Sequence, residues 1–97
     1  MNYEWKPEGI DEAEADGVTG EEVHDMLTDN SRPRWQRPGY WGALRCVTVW
    51  GTTRSGRPLI AALMLRGGRP ALVVGAAEMD QREYEEYLQW ERGQHVE

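Results

Sequence analysis

The sequence predicts an α+β domain: short amino-terminal helices, an antiparallel β-meander of three to four strands, and a carboxy-terminal helix packed on the sheet. Three observations point there. Two capping-box signatures, Thr19 with Glu22 and Asp80 with Glu83, precede segments whose apolar residues recur at helical spacing. Between them lie three segments rich in Val, Leu, Ile and Ala, separated by glycine-bearing turns. The 97 residues suit one domain, which at this size buries roughly 65% of the surface exposed by the unfolded chain.

The first helix is expected over residues 10–15, with a weak apolar face and Gly17 as its carboxy-terminal cap. In the second, Thr19 is the N-cap, Glu22 completes the capping box, and Val18 and Val23 are spaced as a hydrophobic staple. Val23, Met26 and Leu27 then share one face, and Asp29-Asn30-Ser31 before Pro33 stops the helix. Strands are expected over residues 43–50, 58–65 and 70–77, joined by GTTRSGR and RGGR. Residues 59–65 are apolar on both faces, which places that strand centrally, with helices over at least one side. Residues 35–40 could add a short edge strand, limited by Pro33 and Pro38. The last helix starts at Asp80 and carries Tyr84, Tyr87, Leu88 and Trp90; the tail from Gly93 is expected to fray.

The net charge of −6 conceals a strong segregation. Residues 1–30 hold ten carboxylates against Lys6, residues 31–70 hold eight arginines and no carboxylate, and residues 71–97 hold seven carboxylates against Arg82 and Arg92. A basic island thus lies between acidic flanks. Its richest stretch, RPRWQRPGYWGALR, sets Arg32, Arg34, Arg37 and Arg45 around Trp35, Tyr40 and Trp41. Guanidiniums fork onto phosphates, and aromatic rings stack on unpaired bases. Arg32, Arg34, Arg37, Arg45, Arg57 and Arg69, with Trp35 and Trp41, are therefore the candidate RNA- or partner-binding residues. The same arginines could instead meet the chain's own acidic segments. Arg54 with Arg57, and Arg66 with Arg69, flank turns at opposite ends of a meander and need not form one patch. Trp5, Trp35, Trp41 and Trp50 also suit a small core that has no phenylalanine to fill it.

No metal or cofactor is expected: His24 and His95 are far apart, and Cys46 has no CxxC companion. The sequence contains no GxSxG, GxxxxGK or GxGxxG, so serine hydrolase, nucleotide hydrolase and dinucleotide readings lack support. A single cysteine, an acidic opening without a secretory apolar run, and no stretch of membrane-spanning length favour a cytoplasmic protein without membrane contact. A DNA-binding regulator fits poorly, because neither amino-terminal helix has the basic residues of a recognition helix.

Several residues in the same order resemble the BrnT family, ribonuclease toxins of bacterial type II toxin–antitoxin pairs with a RelE-related fold. Tyr3-Glu4-Trp5 is similar to that family's opening aromatic strand, and Gly17-Val18 with Glu21-Glu22-Val23 to its helix start. Trp50-Gly51 through Gly56-Arg57-Pro58-Leu59 is similar to its hairpin. Ala76-Ala77, then Arg82-Glu83 and Tyr87, fall in the register of its closing strand and terminal helix. The resemblance spans about residues 3–90. Where the family commonly has Lys-His before the glycine, this chain has Ala15-Asp16; where it has Ser-Ala-Arg, the chain has Ala76-Ala77-Glu78.

The resemblance implies RNA cleavage by 2′-hydroxyl transesterification, with a cognate antitoxin as partner. Arg54 and Arg66 would then supply cationic stabilisation, and Glu83 or Tyr87 would assist proton transfer. Replacing two cations by carboxylates works against such chemistry, since loss of one well-placed donor alone costs about 10²–10³ in rate. The alternative is a catalytically silent interaction module on the same fold, in which a homodimer sets one molecule's acidic helix against another's arginines.

Overall fold

A computed structural model describes residues 2–94. The chain runs β1 (Tyr3–Trp5), α1 (Gly9–Ala15), α2 (Gly20–Thr28), β2 (Trp35–Trp41), β3 (Leu44–Thr52), β4 (Pro58–Arg66), β5 (Arg69–Glu78) and α3 (Gln81–Gly93). The class is α+β, as the sequence predicts. The expected three to four antiparallel strands become five in a mixed sheet, ordered β1-β5-β4-β3-β2, with β1 parallel to β5. A three-residue strand is too short to show alternation, so β1 leaves little trace in the residue pattern. Gly93 closes α3; the rest of the tail expected to fray, residues 95–97, lies outside the described residues.

The doubly apolar strand is central, with β5 on one side and β3 on the other. Its alternation sends Leu59, Ala61 and Leu63 to one face, where Ala13, Val18, Val23, Met26 and Leu27 from the amino-terminal helical segment cover them. Ile60 goes to the opposite face and meets Trp50, Met79 and Tyr87, with Trp35, Tyr84, Leu88 and Trp90 around them. The helices therefore lie on both sides of the sheet: α1 and α2 on one face, α3 on the other.

Local signals set the helix ends. Thr19 accepts from the Glu22 N–H at 3.1 Å while the Thr19 N–H donates to Glu22 at 3.0 Å, closing the capping box of α2. Asp80 and Glu83 do the same for α3, at 2.7 and 2.9 Å. Beyond α1 the chain turns through Gly17 at φ +80°, a conformation in which a side chain would be strained. Pro38 is accommodated in β2 because that strand is at the edge, paired only with β3.

Two glycines set close approaches of different kinds. A Cβ on Gly9 would stand 2.5 Å from the Val73 carbonyl oxygen, so α1 lies directly on the β5 backbone. In β5 the register slips between Leu63↔Val73 and Ala62↔Gly75, leaving Val74 as an additional residue. A Cβ on Gly75 would be 2.5 Å from the Trp41 indole, which packs there beside Cys46, Ala62 and Val74. Backbone cannot yield as a ring can. Gly9→Ala is therefore expected to cost about 1–3 kcal/mol in urea unfolding. Gly75→Ala should cost less, but displace the indole and red-shift the tryptophan emission.

Candidate binding surface

The structure answers why an acidic chain gathers so many arginines. Arg32 forks onto Glu91 of α3 through Nε and Nη2, at 2.8 and 2.7 Å, and its guanidinium carbon stands 5.7 Å from the Tyr87 ring centre. Arg37 lies over the rings of Trp35 and Trp50, at 4.2 and 4.9 Å, and donates to Glu86 at 2.9 Å. Trp35 in turn stacks on Trp90, with centroids 5.2 Å apart. These contacts tie α3 to β2 and β3. The RPRWQR half of the basic stretch is an intrachain clamp.

Arg57 ties the other side of the molecule. Its Nε donates to Glu78 at 2.7 Å, its Nη1 to both oxygens of Glu22 at 2.7 and 2.6 Å, and its Nη2 to the Gly17 carbonyl at 3.0 Å. One guanidinium thus joins the α1–α2 connection, α2 and the end of β5. Arg66 donates to the Pro70 carbonyl through Nε at 2.9 Å and to Glu4 of β1 through Nη2 at 3.1 Å. Arg34 bonds neutral groups, the Asp29 carbonyl and the Asn30 side chain. Among the described residues, the guanidiniums of Arg45, Arg54 and Arg69 make neither ion pairs nor hydrogen bonds.

The four residues that the resemblance implies for catalysis do not meet. Arg54 lies in the β3–β4 turn and Arg66 at the far end of β4, beside the β4–β5 turn. Glu83 is held in the α3 capping box. Tyr87 is fully buried, its hydroxyl donates to the Pro33 carbonyl at 2.7 Å, and burial pushes its pKa up. Nor do the eight arginines converge: Arg57 and Arg66 brace opposite ends of the sheet, while Arg32 and Arg37 hold α3. Trp41 packs its indole against Gly75 and is half-buried. Among the described residues no cluster of three or more His, Cys, Asp or Glu is placed to hold a metal ion. No helix among them is long and apolar enough to cross a membrane.

One surface stands apart. Beyond the cover of α1 and α2 their sheet face is left open at half-buried Val47 and exposed Leu65, and a cleft of about 470 Å³ lies there beside the buried Val49 and Leu63, rimmed by Gln36 and Arg69. A second depression of about 320 Å³ shares Val47 and Leu65 with it and is flanked by Arg45 and Pro38. No carboxylate lines either hollow. Leu65 is 67% exposed and Tyr40, on the same face of the edge strand, 68%. Apolar alternation in β3 and β4 was visible in the sequence, but which part the helices leave uncovered is a matter of tertiary packing.

Comparisons with protein-family models, curated proteins and solved structures return no match.

The Arg57 clamp has a pH signature. Bonds from Arg57 and from the Thr19 backbone hold the Glu22 carboxyl below its usual pKa of 4.5. A carboxylate whose pKa is lower folded than unfolded contributes stability that is complete above the unfolded value and is lost as pH falls through the folded one. Arg57→Ala is expected to cost about 1–2 kcal/mol near neutral pH and to flatten the acid limb of a stability–pH curve below about pH 5. Urea titrations at several pH values check both.

Proposed function

We propose that the chain is a BrnT-like domain that works as a cytoplasmic protein-docking module and does not cleave RNA. The observation that carries this reading is the intrachain pairing of the island: Arg32, Arg37, Arg57 and Arg66 each hold a carboxylate of the acidic flanks. A phosphate backbone would have to displace those carboxylates, and the neighbouring acidic groups would repel it. RNA cleavage needs donors aimed together at non-bridging oxygens. Here Arg54 and Arg66 are at opposite ends of one strand, Glu83 caps a helix, and Tyr87 points its proton at a backbone carbonyl. Family kinship is supported by the element order, an opening Tyr3-Glu4-Trp5 strand, two helices, a meander and a closing helix. The substitutions Ala15-Asp16 and Ala76-Ala77-Glu78 fit a member that has lost the chemistry.

A second reading, an active ribonuclease toxin neutralised by a cognate antitoxin, is favoured by the unpaired guanidiniums of Arg45, Arg54 and Arg69. The two separate cleanly on induction in a bacterial host. The docking reading expects unimpaired growth, intact cellular RNA, and at low salt only weak RNA binding with a shallow salt dependence. Growth arrest with RNA cleavage, both abolished by Arg54→Ala together with Arg66→Ala, would establish the toxin instead.

A further inference from the structure

The exposed large apolar side chains among the described residues are Ile10, Tyr40 and Leu65, at 41%, 68% and 67% exposure. They sort into two patches of opposite charge. Tyr40 and Leu65 border the bare sheet face, whose charged residues are Arg45 and Arg69. Ile10 stands on α1 among exposed Asp11, Glu12 and Glu14, and these three carboxylates carry no ion pair or hydrogen-bonded side-chain partner among the described residues. Elsewhere the island's cations have largely found their carboxylates within the chain. At these two patches an unpaired charge of each sign remains beside an uncovered apolar side chain.

The geometry points to a second copy of this chain as the occupant of the cleft: the Ile10 edge of α1 from one molecule seats over Leu65, and its Asp11 and Glu14 meet Arg69 and Arg45. This rests on the docking reading and names its partner. α1 packs on the same sheet face that carries the cleft, since Ala13 belongs to one apolar cluster with Val49, Leu63 and Ala71. Each molecule therefore presents knob and cleft on one side, and a two-fold axis between two copies satisfies both contacts at once. Charge complementarity sets the register, and apolar contact supplies most of the attraction. RNA is a poorer occupant for a cleft with an aliphatic floor and no exposed stacking ring on that floor.

Sedimentation equilibrium on the full chain tests this, from micromolar to millimolar concentration and at low and high salt. A dimer that weakens as salt rises is the expected result. Arg69→Glu with Arg45→Glu should weaken it at least about tenfold, as like charges then face one another. Asp11→Arg with Glu14→Arg should do the same, and mixing the two charge-reversed proteins should restore association between them. All of these positions are exposed, so circular dichroism should show both variants folded. A monomer under every condition, or a dimer that both variants leave unchanged, overturns the self-docking surface without touching the docking reading. Binding of single-stranded RNA that is lost in the Arg45/Arg69 variant overturns both.

Discussion

A central strand that is apolar on both faces must be covered on both, and the rest of this structure follows from that constraint. Leu59, Ala61 and Leu63 point to one side of β4, Ile60 and Ala62 to the other. Pairing with β3 and β5 satisfies the backbone but leaves two apolar surfaces. α1 and α2 bury one; α3, with the Trp35, Trp50 and Trp90 rings, buries much of the other. Gly9 lets a helix reach the β5 backbone, and Gly75 makes room for an indole. Cover is not complete, and the open part of the α1–α2 side is the cleft at Val47 and Leu65.

The arginines act at the seams of these layers. Surface ion pairs contribute about 0–1 kcal/mol each, whereas each fully buried large apolar side chain contributes about 1.5–3 kcal/mol. Burial therefore drives the assembly. The guanidiniums select how its layers sit: Arg57 brackets α2 against the end of β5, Arg32 and Arg37 pin α3, and Arg66 joins β1 to the β4–β5 turn. Arg32–Glu91 is the best formed, forked and with a carboxylate side chain only 13% exposed. A segregated charge pattern in the sequence is thereby converted into a stitched fold, because the acidic flanks form the helices and the basic island forms most of the sheet.

Sequence legibility followed the range of the interaction. The helix starts at Thr19 and Asp80 depend on groups three residues apart and were readable from residue types alone. So was the central position of β4, since only an interior strand tolerates apolar residues on both faces. Strand ends ran one to two residues further than expected, to Thr52, Arg66 and Glu78, and ladder pairing carried them there beyond the apolar core. β1 was expected only from the resemblance of Tyr3-Glu4-Trp5 to an opening aromatic strand, and its three residues carry no periodicity. The arginines' partners were illegible: Arg32 meets Glu91 and Arg66 meets Glu4 across separations of 59 and 62 residues, which no local pattern encodes. The sequence could pose the choice between an internal and an external anion, and the fold supplies internal partners for Arg32, Arg34, Arg37, Arg57 and Arg66.

Five of the island's eight guanidiniums, those of Arg32, Arg34, Arg37, Arg57 and Arg66, are held by the chain's own oxygens. Nitrogen-15 NMR of the arginine side chains addresses this most directly, because Nε of Arg32, Arg57 and Arg66 each donates to a carboxylate or carbonyl. Slowly exchanging Nε–H signals for these three, unmoved when single-stranded RNA is added at low salt, are the result this account expects. Rapid exchange at all three, or shifts that track the added RNA, would contradict it.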